Sequence, residues 1–157
     1  MTGPARADSA PALPVTEDYL NLLRLDLRAT KAEIVTNALE LTPEELERFW
    51  PIYREYDAAL VRLNEDRAAT LRDFAAHYAS IDDSQAQDLT RRSLEFQHKR
   101  LDLLKKYYGR MAKAFNPATA ARFLQLEHQL LMLVDVQIAS ELPLIPRQVL
   151  ASPAREG

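Results

Sequence analysis

The chain has 157 residues, 47% of them hydrophobic and 27% charged, with a net charge of −3; this suits one folded domain and excludes disordered and collagen-like classes. Three scattered glycines and no cysteine exclude glycine-rich phosphate loops, disulfides, thiolate metal sites and thiol catalysis. The charge lacks the basic excess of a nucleic-acid partner, and no apolar run approaches the ~18 residues of a membrane span.

Residues 1–15, rich in Ala and Pro, read as a disordered segment of the kind found at the mature start of an exported protein. A first helix is expected from about Thr16 to Leu39, burying Leu20, Leu23, Leu27, Ile34, Ala38 and Leu41 at three- and four-residue steps. Then comes Leu41-Thr42-Pro43-Glu44-Glu45-Leu46: Thr42 as N-cap, Pro43 at the first helical position, Glu45 closing a capping box, and Leu41 with Leu46 as a hydrophobic staple. The second helix should continue to about Tyr78, bent near its start by Pro51. Asp82 and Gln85 repeat the capping logic for a third helix, ending near Ala114, and Asn116-Pro117 starts a fourth that stops before Pro143.

This is an all-α chain of four helices, a single domain over residues 16–146 with a flexible tail at 147–157. Helices two and three form a long antiparallel hairpin with Tyr53 opposite Tyr108 and Leu60 opposite Leu101. Leu94, Leu101, Tyr108 and Phe115 form the facing stripe, beside a second row of Leu89, Phe96, Leu103 and Tyr107. Acidic Glu44, Glu45, Glu47, Glu55 and Asp57 lie at the end where Lys105, Lys106, Arg110 and Lys113 arrive. Helix four is apolar over most of its surface, so a homodimer is expected. Thr42-Pro43 followed by Arg48-Phe49 recurs as Asn116-Pro117 followed by Arg122-Phe123, at an offset of 74 residues.

Leu41-Thr42-x-x-Glu45 before a long helix, with a second copy at Phe115-Asn116-Pro117-x-Thr119, resembles the paired L-T-x-x-Q motifs of the Spy/CpxP family. Phe49-Trp50-Pro51-x-Tyr53-x-x-Tyr56, Arg100-Leu101-x-Leu103-Leu104-Lys105-Lys106-Tyr107 and Arg122-Phe123-x-Gln125-x-Glu127 look like an uncharacterised branch of exported bacterial proteins related to it. The likeness covers about Leu41 to Ile145. It implies a small, helical, dimeric periplasmic protein, its signal peptide removed, that holds unfolded or envelope proteins without ATP; relatives include stress-response inhibitors and metal sensors. Glu45 stands where the motif has glutamine, and the second copy lacks both Leu and Gln.

The structural motif is therefore Leu41, Thr42, Pro43, Glu45, Asn116 and Pro117. Candidate binding or interface residues are Phe49, Trp50, Tyr53, Tyr56, Arg67, Arg100, Lys105, Lys106 and Glu127. Such an aromatic four is more often core and interface than a ligand box. Arg67 interrupts the apolar stripe of helix two and Glu127 that of helix four. A charge there needs a partner: the two pair with each other, or Arg67 marks an open groove or snorkels to solvent. Neither a catalytic constellation nor a cofactor is expected. His98, on a polar face, and His128 are the only residues from which a metal site would be argued, and His77 should serve the end of helix two. The expected function is a non-enzymatic binding module of chaperone type, with a metal-responsive sensor or buffer and a structural interaction dimer as rivals.

Overall fold

A computed structural model describes residues 26–147, with side chains from Lys31 onward. Among the described residues four helices follow one another: α1 (Asp26–Leu39), α2 (Pro43–His77), α3 (Asp83–Ala114) and α4 (Pro117–Glu141), with a 3-10 turn at Tyr78–Ser80 between α2 and α3. The described residues are 89% helical and contain no strand, as the proline spacing and propensities require. The expected start of the first helix at Thr16, with Leu20, Leu23, the segment 1–15 and the tail beyond Arg147, lies outside the described residues.

Local chemistry sets each boundary. Thr42 Oγ1 accepts from the Glu45 amide at 3.2 Å, and Asn116 Oδ1 accepts from the Thr119 amide at 2.8 Å, each with proline at the helix start. Among the described residues only Asp82 and Gln85 close a capping box, with reciprocal bonds of 2.8 and 3.0 Å; Glu45 gives Thr42 no such return bond. Pro51 sits on an exposed side of α2, where the carbonyl its ring deprives of a donor can face water. The turn after α1 places Glu40 at φ 51°, the left-handed conformation that more often falls to glycine at a helix end.

α2 and α3 form the long antiparallel hairpin, α3 packs on α4, and α4 on α1. The register lies a few residues from the expected one, with Tyr56 meeting Tyr107 at 5.4 Å between ring centroids where the heptad pattern sets Tyr53 against Tyr108. Glu55 pairs with Arg110 across the hairpin, so the acidic end of α2 does meet the basic end of α3.

Two faces differ from expectation. On α1 the buried row is Lys31, Val35 and Leu39, while Ile34 is 40% exposed and Ala38 faces solvent. A count of aliphatic residues rejects the row containing a lysine, but here a carboxylate from α4 neutralises that lysine. On α3, Leu89, Phe96, Leu104, Tyr107 and Met111 are buried. Leu94 and Leu101 are 65% and 51% exposed. The apolar arc of α3 spans almost half its circumference; α2 and α4 cover its centre and leave one edge open.

The repeat at an offset of 74 residues has a structural meaning. Phe49 and Phe123 occupy equivalent places, both 1% exposed, with ring centroids 6.2 Å apart. The arginine preceding each crosses to the other half. Arg48 donates to the Ala114 carbonyl at the end of α3 at 3.0 Å, and Arg122 to the Ala38 carbonyl at the end of α1 at 2.8 Å. Each guanidinium thus satisfies a carbonyl that a helix end leaves without a donor.

Candidate functional site

Three constellations compete for function. The first is the aromatic group of α2. Phe49, Tyr53 and Tyr56 are buried and Trp50 half-buried; their rings pack on one another, on Phe123 of α4 and on Tyr107 of α3. Behind them Glu127, fully buried on α4, accepts from the Tyr56 hydroxyl at 2.7 Å and from Lys31 Nζ at 2.8 Å, both on Oε2. The Lys31 ammonium also lies 5.2 Å from the centre of the Tyr56 ring and 5.9 Å from that of Tyr53, a favourable arrangement for a desolvated cation. Burial, then the neighbouring Glu127 charge and its hydrogen bond, push the Tyr56 phenol far above its ordinary value, so it remains a neutral donor. A substrate would have to open the bundle to reach these groups. They are core: of the candidate binding or interface residues, Phe49, Tyr53, Tyr56 and Glu127 all lie buried inside the chain.

The second is centred on Asp135. Its Oδ1 accepts from Arg67 at 2.7 Å and Arg100 at 2.9 Å, and its Oδ2 from Arg100 at 2.7 Å. Phe96 has the Arg67 guanidinium 4.9 Å and the Arg100 guanidinium 5.1 Å from its ring centre. The suggested pairing of Arg67 with Glu127 is therefore corrected: both charges are paired, but with Asp135 and Lys31. Asp135 feels burial most strongly, which raises its pKa; the hydrogen bonds from Arg100 and Arg67, with their charges, outweigh it and hold the carboxyl below its usual range.

The third is open. Between the outer edges of α3 and α4 runs a groove of about 620 Å³, lined by Leu101, Leu104, Lys105, Tyr108, Ala121, Leu124, Gln125 and His128. It exists because the stripe assigned to the hairpin interface lies at the uncovered edge of α3. Lys105 and His128, singled out separately in the sequence, meet on this surface. Lys106 instead lies 5.5 Å from the Tyr107 ring centre and lines a smaller groove between α2 and α3.

His98 lies on the exposed side of α3, 3.3 Å from Asp102, and among the described residues no group of three or more His, Cys, Asp or Glu could hold a metal. His77 Nδ1 lies 2.9 Å from the Asp73 carbonyl at the end of α2. Sequence reasoning missed Lys31 and Asp135. Lys31 did carry a signal, standing four and eight residues before Val35 and Leu39; Asp135, flanked by Val134 and Val136, was the sole charge in a long apolar run.

No protein family, curated protein or solved structure matches the chain. Among the described residues no helix is long and apolar enough to cross a membrane.

Proposed function

We propose that this protein is a non-enzymatic binding module of the Spy/CpxP type, exported to the periplasm, that holds apolar segments of unfolded or envelope proteins. The observation that carries the reading is the apolar strip left exposed on α3 and α4: Leu94, Leu101, Met132, Leu133 and Val136, with Leu133 68% exposed. A fold that pairs its interior charges so fully yet leaves this strip uncovered has a surface suited to another chain. On α3, Lys105 lines the groove beside Leu101 and would favour encounter with acidic clients. Self-association through the C-terminal half of α4, where Met132, Leu133 and Val136 are exposed, belongs to the same reading.

The test is aggregation of a chemically denatured enzyme, followed by light scattering. Suppression at substoichiometric protein, reduced by Leu133→Asp, is the expected result. No suppression at equimolar protein would discard the chaperone reading. Capture of one defined partner without general suppression would replace it with a dedicated interaction dimer.

A further inference from the structure

We propose that the groove between α3 and α4 is a binding site for a linear amphiphile with a single anionic head, such as a fatty-acid carboxylate. This goes beyond the holding of protein clients and does not depend on it.

α3 and α4 are antiparallel, so Tyr108 stands across from Ala121, Lys105 from Gln125 and Leu101 from His128. The walls from Leu101 to Tyr108 and from Ala121 to His128 run for two helical turns, about 10 Å. Leu104 and Leu124 form the floor, and small Ala121 opposite Tyr108 leaves the width. The volume of about 620 Å³ lies within the range of small-molecule sites, roughly 300–1,000 Å³, which are mostly apolar with a few polar groups that fix orientation.

Charge then selects the occupant. The polar groups on the lips, Lys105, Gln125, His128 and the Tyr108 hydroxyl, can all donate a hydrogen bond, and no carboxylate lines the groove. The acids of α3 nearest in sequence are engaged elsewhere: Glu95 pairs with Lys99, and Asp102 lies beside His98. Among the described residues Lys105 makes no ion pair, in contrast to Lys99, Arg100 and Arg110 on the same helix. An ammonium on the lip of an apolar trough fits a ligand with a carboxylate at one end and hydrocarbon behind it. The tail has further apolar surface to follow, since Leu94 is exposed two turns from Leu101 on α3. A second copy fits less well. An isologous contact through this groove would bring Lys105 and His128 of both copies together with no acid on either side.

The experiment is calorimetric titration of the full chain with octanoate, decanoate and dodecanoate below their micelle concentrations, with dodecanol as the uncharged probe. Saturable one-to-one binding is expected, tightening about two- to four-fold per added methylene, with dodecanoate at least ten-fold tighter than dodecanol. Ala121→Trp, a substitution at an exposed position, should fill the trough and abolish binding of both. Lys105→Glu should weaken dodecanoate at least ten-fold and leave dodecanol unchanged; circular dichroism melting confirms that both variants fold. The site is refuted if no saturable binding occurs, if acid and alcohol bind equally, or if Ala121→Trp binds like the parent. Sedimentation showing a dimer that Ala121→Trp dissociates would also refute it, and would give the groove to a second copy.

Discussion

Glu127 and Asp135 stand about two turns apart on α4, and each is held by two donors from other helices, yet the two arrangements obey different rules. Glu127 has no exposed side-chain surface; one ammonium and one neutral phenol serve it, so the cluster carries no net charge. Asp135 keeps 29% of its side chain in solvent and is held by two guanidiniums, leaving an excess positive charge. The contrast follows from desolvation. Where water is excluded, an unmatched charge costs several kcal/mol or more, so the count must balance; near the surface, water screens what is left over. Phe96, whose ring centre lies 4.9 Å from the Arg67 guanidinium and 5.1 Å from that of Arg100, adds a further means of tolerating the surplus.

The largest effect should come from breaking the interior pair. Glu127→Ala leaves Lys31 buried and the Tyr56 hydroxyl unanswered, and should lower stability by roughly 3–5 kcal/mol, read from urea unfolding midpoints at constant slope. Replacing both partners, Lys31→Met with Glu127→Leu, should recover the part of that loss that comes from the lone ammonium, while the Tyr56 hydroxyl stays unanswered. If the double variant is no more stable than the single one, the pair does more than balance charge. Glu127 Oε1, which has no hydrogen-bond partner among the described residues, favours recovery, because an apolar side chain leaves no such atom behind.

Asp135→Asn is the intermediate case. Two guanidiniums would lose their shared anion, but partial exposure limits the loss to about 1–2 kcal/mol. Its pH dependence sharpens the comparison. The folded carboxyl titrates below the unfolded one, despite the opposing pull of burial, because the hydrogen bonds and charges of Arg100 and Arg67 outweigh it. Between those values the unfolded chain binds more protons. The stabilisation is complete above the unfolded value, near pH 4, and is lost as pH falls through the folded one. Asp135→Asn should therefore flatten the acid limb of the stability curve below about pH 4 relative to the parent. An identical acid limb would remove Asp135 from the account.

The smallest effect belongs to Glu55, whose side chain is 57% exposed in its pair with Arg110. The Arg110 hydrogen bond, partly opposed by desolvation, lowers its pKa, but solvent screening makes such a pair a weak contributor. Glu55→Gln should leave the melting midpoint within error. A drop comparable to that of Asp135→Asn would mean that exposure does not rank these carboxylates.

Much of the architecture was legible because it depends on local chemistry. The caps at Thr42, Asp82 and Asn116 and the proline-free stretch from Ile52 to Asn116 place the helix boundaries without reference to the rest of the fold. The buried faces were less legible, because burial depends on which neighbours a helix acquires. Val35 lies inside and Ile34 outside although their apolarity is alike, because α4 offers a carboxylate to Lys31 on the Val35 side. Leu101 looked like an interface residue and is a groove wall for the same kind of reason: α4 approaches α3 from the side of Leu104 and Met111. The oddity of Arg67 and Glu127 was visible in the sequence. Their partners were not, since Lys31 and Asp135 lie far from them along the chain and no helical periodicity links those positions.

The crossed arginines have a consequence for how the molecule comes apart. Arg48 finishes the end of α3 and Arg122 the end of α1, so neither half of the chain completes its own bend. Shortening either arginine would fray a turn in the half it does not belong to, and the two halves of the repeat are latched as a clasp is, each piece holding the other's hook.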